Sequence, residues 1–431
     1  MHEIKKTGIE WLPEISKDFS VGYVKQYFNI SKDLSNEGEP ERVLKLARSG
    51  IVEKDVTMNE GQMAASYAGY NKVLVGDLLL NPMDLYSGAN CNVSQLDGVI
   101  SPAYLNLRAK KAQTVVSKFY DYYFKTQYWI MAMFAHGKGV SFDNRWTLNN
   151  DSLRSYEIPV LPYLSQKRIV QKIQSEEQNV DALIVNQQTQ IEKLKQYKQS
   201  LITEVVTKGL NPDVPMKDSG IEWIGIISAI HNIYRLKYLL NSQMLYGANE
   251  AGSFYTNNAV RYIRITDITE DNKLKDSAEN LYLSIEKAKP YILKDKDILF
   301  ARSGATVGKA FMYLNEYGKS AFAGYLIKAE CNTQKLLPEY LFYYTQSSLY
   351  EYWKNMIFIQ ATIQNIGANK YSNMPIIQMS LDEQNQIVKF LDDKCAKIDR
   401  LIAIKQEKID KLNDYKKSLI YEYVTGKREV C

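Results

Sequence analysis

Apolar residues recur at helical spacing through two long stretches of this chain, residues 165–207 and 382–425. In the first stretch, Val180, Leu183 and Leu194 belong to a stripe that advances in alternating steps of three and four. Neither stretch contains a Gly or a Pro. Such a stripe is typical of a helix that packs along its length. At about 1.5 Å per residue, the first stretch would form a rod roughly 65 Å long.

The second stretch repeats the first almost position for position, so that Asp181 corresponds to Asp399 and Tyr197 to Tyr415. A single apolar stripe needs a partner, and the nearest supply of one is the other copy. The sequence therefore predicts that the two helices pair as an antiparallel coiled coil. The residues predicted to pair are Val180, Leu183, Ile191, Leu194, Tyr197, Leu201, Ile398, Leu401, Ile409, Leu412, Tyr415 and Leu419.

A shorter phrase also occurs twice, at Lys6–Leu12 and again at Asp218–Ile224, soon after the first long stretch. The chain is therefore predicted to consist of a lead, a variable globular block and a long helix, followed by the same three parts again. The predicted boundaries are residues 1–157 and 213–373 for the two globular domains, and residues 158–212 and 374–431 for the two helical segments.

The two globular blocks, roughly residues 13–157 and 225–373, mix short apolar runs with turns marked by Gly. Each block also contains a helical candidate that is rich in aromatic residues, at 115–134 and at 338–353. Aromatic residues at this spacing are more typical of a core than of a base-stacking platform. Because strands and helices follow no regular βαβ rhythm, the predicted fold class is α+β.

Bulk composition bounds the class of protein. A chain of 431 residues that is 45% hydrophobic and 24% charged is expected to form two or more globular domains. It has no apolar run of membrane-spanning length, and its four cysteines lack metal-site spacing, which together predict a cytoplasmic protein. The net charge of +5 permits an anionic partner without requiring one, and 32 tyrosines could serve base stacking or a protein interface.

Several phrases resemble the specificity subunit of type I restriction–modification systems. They are the repeated lead, Gly98–Leu105 in the first block, Asp297–Lys309 in the second, and the block-to-helix junctions Ile158–Gln166 and Met374–Gln384. At the second junction, Ser380 and Glu383 are spaced as a helix capping box. The order of these parts along the whole chain carries the resemblance.

The resemblance implies that each block is a target-recognition domain that reads one half of a bipartite DNA sequence, while the paired helices fix the gap. Such subunits are not enzymes. The implied partners are double-stranded DNA, two methylation subunits and the restriction (translocase–nuclease) subunits, without a membrane. No cofactor is expected on this chain, whereas S-adenosylmethionine, ATP and Mg are expected on the partner subunits.

Two near matches to catalytic motifs fail on inspection, in agreement with a non-catalytic role. Gly304–Ala310 resembles a phosphate loop, but it is one residue short between its glycines and has Ala where Ser or Thr must meet magnesium. Asn81–Asp84 resembles an amino-methyltransferase signature but lacks the aromatic residue that would hold a flipped base.

Base edges are read by Arg, Lys, Asn and Gln on loops that enter a groove. The best candidate is the segment Arg302–Thr306, because it follows a predicted strand and combines a guanidinium, hydroxyl groups and open backbone. The full set of predicted DNA-binding residues is Arg42, Lys45, Arg48, Lys72, Asn81, Ser87, Asn90, Lys138 and Arg145 in the first block, and Arg261, Arg264, Arg302, Ser303, Thr306, Lys309, Gln364, Asn369, Lys370 and Tyr371 in the second.

The sequence leaves an alternative open: a coiled-coil adaptor that binds protein partners without DNA. The modest net charge and the tyrosine-rich blocks are compatible with this alternative. The two functions differ in their response to salt, because phosphate contacts release counterions and an aromatic protein interface does not.

Overall fold

The computed structural model describes residues 3–31, 42–47, 49–55, 66–83, 85, 90–139, 146–254, 259–269, 272–275, 279–304, 306–359 and 365–430. The chain divides into two compact units, Met1–Gln188 with Glu407–Cys431 (unit 1) and Thr189–Gln406 (unit 2). Both internal boundaries fall within a long helix and are related by the same offset as the sequence repeat, since 188 + 218 = 406 and 181 + 218 = 399. Each unit therefore contains one globular block and part of both long helices. The four predicted segments divide the chain near the ends of the long helices and not within them, and these boundaries stay a prediction.

The globular part of unit 1 is built on a four-stranded antiparallel sheet in the order β4-β11-β8-β9, with the pairs β1–β2, β3–β12, β5–β6 and β7–β10 around it. Along the described residues its elements are β1 (Ile4–Ile9), β2 (Leu12–Ser16), β3 (Ser20–Tyr23), α1 (Val24–Tyr27), β4 (Phe28–Ser31), β5 (Leu44–Ala47), β6 (Gly50–Glu53), β7 (Asn71–Val73), β8 (Leu78–Leu80), β9 (Cys91–Val93), β10 (Gly98–Ile100), β11 (Leu105–Ala109), α2 (Ser117–Trp129), α3 (Ala132–Ala135), α4 (Asn150–Arg154) and β12 (Glu157–Val160), and the long helix α5 (Tyr163–Lys208) follows.

Unit 2 repeats this plan with the sheet β16-β22-β19-β20 and adds a second sheet, β18-β17-β21, in which β17 and β21 run parallel. Along the described residues its elements are β13 (Met216–Asp218), β14 (Ile226–Ser228), β15 (Asn232–Arg235), β16 (Leu245–Tyr246), β17 (Ala259–Ile263), β18 (Leu281–Ser284), α6 (Ile285–Ala288), β19 (Ile298–Ala301), β20 (Ala310–Met312), β21 (Ser320–Phe322), β22 (Leu326–Ala329), α7 (Pro338–Tyr344), α8 (Ser348–Ile359), α9 (Ala368–Ser372), β23 (Pro375–Gln378) and the long helix α10 (Leu381–Val424). The predicted α+β class is confirmed.

The aromatic helices form the cores of both units, as their sequence predicts. In unit 1, Phe119 and Tyr123 of α2 are fully buried in one cluster with Ile173 of α5 and Tyr423 of α10. In unit 2, the corresponding cluster joins α7 and α8 to Ile202, Val205 and Val206 of α5 and to Ile387, Leu391 and Cys395 of α10. Each block therefore packs against the start of one long helix and the end of the other.

A buried glutamine fixes the start of each long helix to its own block. Gln166 accepts a hydrogen bond from the backbone N–H of Val116 at 2.7 Å and donates to the carbonyls of Thr114 and Leu161 at 3.0 and 2.9 Å. Its repeat equivalent, Gln384, makes the same three contacts: it accepts from Leu337 N at 2.8 Å and donates to the carbonyls of Lys335 and Met379, both at 2.9 Å. All the partners are backbone groups, so the joint does not depend on the side chains of the block.

Only half of the predicted capping box forms at the start of α10. Ser380 Oγ accepts from the backbone N–H of Glu383 at 3.2 Å, as the box requires. The carboxylate of Glu383 instead lies 2.9 Å from Nε2 of His231, a buried side chain. The spacing of Ser380 and Glu383 could not reveal this competitor, because His231 is distant in sequence.

The paired stretches of α5 and α10 run antiparallel within each unit. In unit 1, Lys416 Nζ lies 2.8 Å from Asp181 Oδ1, and in unit 2, Lys198 Nζ lies 2.7 Å from Asp399 Oδ2. The residue numbers of both pairs add up to the same value, since 181 + 416 = 198 + 399 = 597, as expected when one helix descends while the other ascends. The predicted coiled-coil pairing is confirmed.

Part of the predicted pairing set needs correction. Four of the predicted residues lie at the edge of the buried contact between α5 and α10, which is called the seam below. Between 45% and 57% exposed are Leu183, Tyr197, Leu401 and Tyr415. The seam itself passes through the next helical position. Buried or half-buried there are Val180, Ile184, Gln187, Ile191, Leu194, Lys198 and Leu201 of α5, and Ile398, Ile402, Lys405, Ile409, Leu412, Lys416 and Leu419 of α10.

The prediction included almost only apolar residues, whereas polar side chains also lie in the seam of the structure. Lysine can bury its aliphatic stem there while its amine reaches a partner at the edge. Lys198 and Lys416 reach carboxylates in this way, and Lys405 Nζ donates to Gln190 Oε1.

Candidate nucleic-acid interface

The two units place one loop each at the same position of the central sheet. In unit 1 the β8–β9 loop (residues 81–90) is closed by Asn81 N donating to Asn90 O at 2.8 Å, and Leu148 N donates to Pro82 O at 2.9 Å. In unit 2 the β19–β20 loop (residues 302–309) is closed by Ala301 N donating to Lys309 O at 2.8 Å, and Ile366 N donates to Arg302 O at 2.9 Å. This matched bonding makes Arg302 the structural equivalent of Pro82.

Arg302 is held by stacking rather than by an ion pair. Its guanidinium carbon lies 5.0 Å from the centroid of the Tyr246 ring, within cation–π range. Its Nε is buried and has no hydrogen-bond partner among the described residues. An orphaned, charged donor of this kind is costly unless a ligand satisfies it.

Arg302 lines a cleft of about 740 Å³ on unit 2. The cleft walls include the exposed rings of Tyr246 and Tyr325, and Arg302 N donates to Tyr325 O at 2.9 Å. Gly247 forms part of the wall, where a Cβ would lie only 2.2 Å from the carbonyl oxygen of Ala323. The close backbone approach and the aromatic rims leave an open slot beside the guanidinium.

The other two predicted arginines of unit 2 are already engaged within the protein. Arg264 forms a bidentate pair with Asp267, with Nε–Oδ2 at 3.2 Å and an Nη–Oδ1 contact at 2.8 Å. Arg261 donates to the backbone carbonyl of Lys275 and to Asn280 Oδ1. Both line or support the sheet β17–β18, and their guanidinium groups are less available than that of Arg302.

The remaining polar residues of the β19–β20 loop have mixed environments. Ser303 is half-buried and forms an isolated bridge with Asn365, and Thr306 Oγ1 is buried without a hydrogen-bond partner among the described residues. Lys309 Nζ donates to the carbonyl of Thr269. The loop is therefore tied down at its ends and open around Gly304, which is exposed and has a φ of +83°.

The α9 segment contributes exposed polar groups, with one correction. Asn369 and Lys370 are exposed. Tyr371 is fully buried, and its hydroxyl donates to Ala301 O at 2.8 Å. Burial raises the pKa of Tyr371, so the hydroxyl stays a neutral donor. Tyr371 thus supports the β19–β20 loop from below as a core residue, since its ring packs on Phe300 with centroids 4.6 Å apart.

In unit 1 the predicted residues are spread over several elements. Arg42 is bonded to Glu53 and to the carbonyl of Asp97, each at 3.3 Å. Asn81 Oδ1 accepts from Met83 N at 3.0 Å, and Asn90 donates to Ala47 O at 2.7 Å. Lys45, Lys72 and Lys138 are exposed, on β5, on β7 and near α3. Arg48, Ser87, Arg145 and Gln364 lie outside the described residues. The set of predicted DNA contacts stays a prediction.

Sequence reasoning missed Tyr246 and Tyr325, which the fold brings to Arg302 from positions far along the chain. Each tyrosine is next to a glycine, Gly247 and Gly324, where an added Cβ would lie 2.2 and 3.2 Å from backbone carbonyl oxygens. An aromatic residue beside a glycine was the available signal, but nothing in the local pattern links either tyrosine to Arg302.

No helix in the described part of the chain is long and apolar enough to cross a membrane. Among the same residues, no group of three or more His, Cys, Asp or Glu side chains is arranged to hold a metal ion. Cys91, Cys331 and Cys395 are buried free thiols. Burial raises the pKa of the Cys395 thiol to about 11, which disfavours a reactive thiolate.

This architecture places two like units on a shared pair of long helices, and comparison with known proteins shows which proteins the chain is similar to. Residues 237–414 match the family model described as Type I restriction modification DNA specificity domain. The chain is 23% identical over 390 residues to the type I restriction enzyme MjaVIII specificity subunit of Methanocaldococcus jannaschii, a match that covers 88% of this chain and 82% of that protein.

Two further matches extend over most of the chain. It is 19% identical over 352 residues to the StySPI specificity subunit of Salmonella potsdam, covering 80% of this chain and 69% of the relative. A solved structure from work on complex assembly and conformational transition of the type I R-M system has the same fold, with a TM-score of 0.69, 15% identity, and coverage of 95% of this chain and 98% of that one. These matches confirm the resemblance to type I specificity subunits that the sequence predicts. The adaptor alternative is not favoured.

Proposed function

We propose that this chain is the DNA-reading subunit of a type I restriction–modification complex and that each block reads one half of a bipartite target. The observation that carries the proposal is the duplication of the block-to-helix joint. Gln166 and Gln384 make the same three backbone contacts, whereas the loops at the ends of the sheets differ. A repeated framework with unlike loops is what two different half-sites require.

The paired helices act as the spacer between the two readings. α5 is 46 residues long and α10 is 44, and each helix is anchored to a block at both of its ends. Because a helix is stiff over this length, its residue count sets the unread gap between the half-sites.

The repeated framework also suits partners that bind twice. Two methylation subunits would meet equivalent surfaces on the two units, and restriction (translocase–nuclease) subunits would join through them. In this proposal the chain itself is not an enzyme and is located in the cytoplasm. S-adenosylmethionine, ATP and Mg are bound by the partner subunits.

The decisive experiment is methylome sequencing of cells that carry the cognate methylation subunit, with and without this chain. We expect adenine methylation at a split target that disappears without the chain. The purified chain alone, incubated with S-adenosylmethionine and target DNA, should transfer no methyl groups. Methyl transfer by the chain alone, after contaminating subunits are excluded, would contradict the non-catalytic role.

Binding measurements separate DNA recognition from a protein-adaptor role. Affinity of the purified chain for a duplex with the target should fall steeply with added salt, because phosphate contacts release counterions. A shuffled duplex of equal length is the matched control. Equal affinity for both duplexes at every salt concentration would count against sequence reading by this chain.

A further inference from the structure

The guanidinium of Arg302 stands out in unit 2 because the protein orders it without neutralising it. Arg264 and Arg261 have acceptors at hydrogen-bond distance, whereas the Arg302 side chain makes no hydrogen bond to another described residue. The face of Tyr246 holds the guanidinium in place, with 5.0 Å between its carbon and the ring centroid. The side chain is therefore preorganised while its donors stay available.

The surroundings of Arg302 suit a neutral, flat, hydrogen-bond-accepting ligand. The cleft is bordered by the exposed rings of Tyr246 and Tyr325. The carboxylate among its lining residues, Glu250, is paired with Lys287 at 2.7 Å, and Asp267 is occupied by Arg264. Neither acid is positioned to capture Arg302 in place of a ligand.

Resting on the proposed function, we propose that Arg302 reads a guanine in the half-site of the second block and that Tyr246 is its positioning residue. Guanine presents two adjacent acceptors, O6 and N7, in the major groove, and the planar fork of arginine matches both. A guanidinium fixed from behind by an aromatic ring loses less freedom on binding than a mobile one. Tyr246 is itself anchored, because its hydroxyl accepts from Ala368 N at 2.9 Å.

The equivalent position of unit 1, which lies among the described residues, has no arginine. Pro82 occupies the equivalent position, and proline offers no side-chain donor. The first half-site must therefore be read by other groups, so the effect of changing Arg302 is confined to one position of one half-site.

The test is methylome sequencing of Arg302→Gln in cells with the methylation subunit. Glutamine pairs with adenine N6 and N7 as arginine pairs with guanine. We expect the ratio of methylation at guanine-containing over adenine-containing targets to fall about tenfold to a hundredfold at one position, the range that one bidentate base contact provides. Arg400→Gln, which removes the same charge from an exposed position of α10, is the matched control and should leave the target unchanged.

Three variants separate base reading from phosphate binding and from simple structural support. Arg302→Lys keeps the charge, so a lost guanine preference in this variant supports bidentate reading. Tyr246→Leu should weaken the same preference about tenfold, since the stacking face is lost. Tyr246→Phe retains the ring and should restore most of the preference.

The outcomes are distinguishable. A wild-type methylome without any chain-dependent methylation would sink the proposed function itself. A normal wild-type target with no G·C pair in the half-site of the second block, or an unchanged target in Arg302→Gln, would overturn only the assignment of Arg302. Uniform weakening across all targets in Arg302→Gln, with recovery in Arg302→Lys, would mean a phosphate contact and would also overturn guanine reading.

Discussion

The two units are alike where each block meets its long helix and unlike where each central sheet ends in a loop. At the joint, Tyr123 and Tyr344 donate to the carbonyls of Glu157 and Pro375, both at 2.8 Å, beside the matched Gln166 and Gln384. The strand partners correspond by the repeat offset, since 157 + 218 = 375. These contacts all end on backbone groups, so they tolerate divergence of the blocks.

In the β8–β9 and β19–β20 loops, the backbone hydrogen bonds are equivalent while the side chains differ. Pro82 and Arg302 both accept a hydrogen bond at their carbonyls from the segment that follows, yet one side chain is a ring without donors and the other an unpaired guanidinium. The fold therefore keeps its block-to-helix joints constant and leaves the loop side chains free to differ. A protein that must meet the same partner twice and read two different sequences needs this division.

The largest effects should come from the buried glutamines. Gln166→Leu and Gln384→Leu each leave three backbone groups without partners, so each should lower the free energy of unfolding of its own unit by about 3–5 kcal/mol. Hydrogen exchange in urea can follow each unit separately. Gln196→Leu, on the exposed face of α5, is the control and should cost under about 0.5 kcal/mol. Strongly unequal costs would show that the two joints are not equivalent.

A smaller loss of stability is expected when Tyr123 and Tyr344, the tyrosines at the two joints, are changed to Phe. Tyr123→Phe and Tyr344→Phe each remove one hydrogen bond and should cost about 1 kcal/mol in their own units. Tyr197→Phe, largely exposed on α5, provides the baseline. A cost at one joint without a cost at the other, measured by the same urea titration, would show that the tyrosines are not equivalent.

The same tyrosines make stability depend on alkaline pH. Burial raises the pKa of Tyr123 and of Tyr344 above the value near 10 of the unfolded chain. The folded chain then keeps protons that the unfolded chain loses, so this stabilisation is complete below about pH 10 and is lost as the pH rises toward the folded-state pKa. Urea titrations between pH 8 and 11 should show the decline in wild type and a shallower one in both Phe variants. An equal decline of stability with pH in wild type and in both Phe variants would show that these hydroxyls do not cause it.

The smallest effect belongs to the two ion pairs of the helix seam. Double-mutant cycles on Lys198–Asp399 and on Lys416–Asp181 should each give a coupling of about 0.5 kcal/mol, because both carboxylates are more than half exposed. The two couplings should be equal and should shrink together in high salt. Coupling at one pair alone would mean that the seam is not symmetric.

The helices and their repeat could be predicted from the sequence because a periodic apolar stripe is a local signal. The stretches predicted at 165–207 and 382–425 became helices at Tyr163–Lys208 and Leu381–Val424. The exact seam could not be predicted, because it admits polar residues: Gln187 is buried in it, and Lys198 and Lys416 bury their stems there and pair their amines with carboxylates. That choice depends on the partner helix and not on residue type.

The recognition surface was only partly predictable. Arg302 was singled out because a guanidinium follows an apolar strand, but its stacking partner, Tyr246, comes from a strand over fifty positions earlier. Tyr371 shows the opposite case, since its position near a polar loop predicts a surface residue, whereas the structure buries it beneath that loop. Both depend on which strands become neighbours in the sheet, information that no local pattern carries.

The most direct test of the central claim is to replace the second block, residues 225–373, with a copy of the equivalent part of the first, residues 13–155, and to sequence the methylome of cells with the methylation subunit. Gln384 needs only backbone partners, so it should accept Val116 and Thr114 in place of Leu337 and Lys335, and the retained α5 and α10 should keep the gap. Urea unfolding with the transition of the wild type would show that the chimera folds. We expect methylation at an inverted repeat of the first half-site with the original gap. A folded chimera that still directs methylation to the second half-site would contradict it.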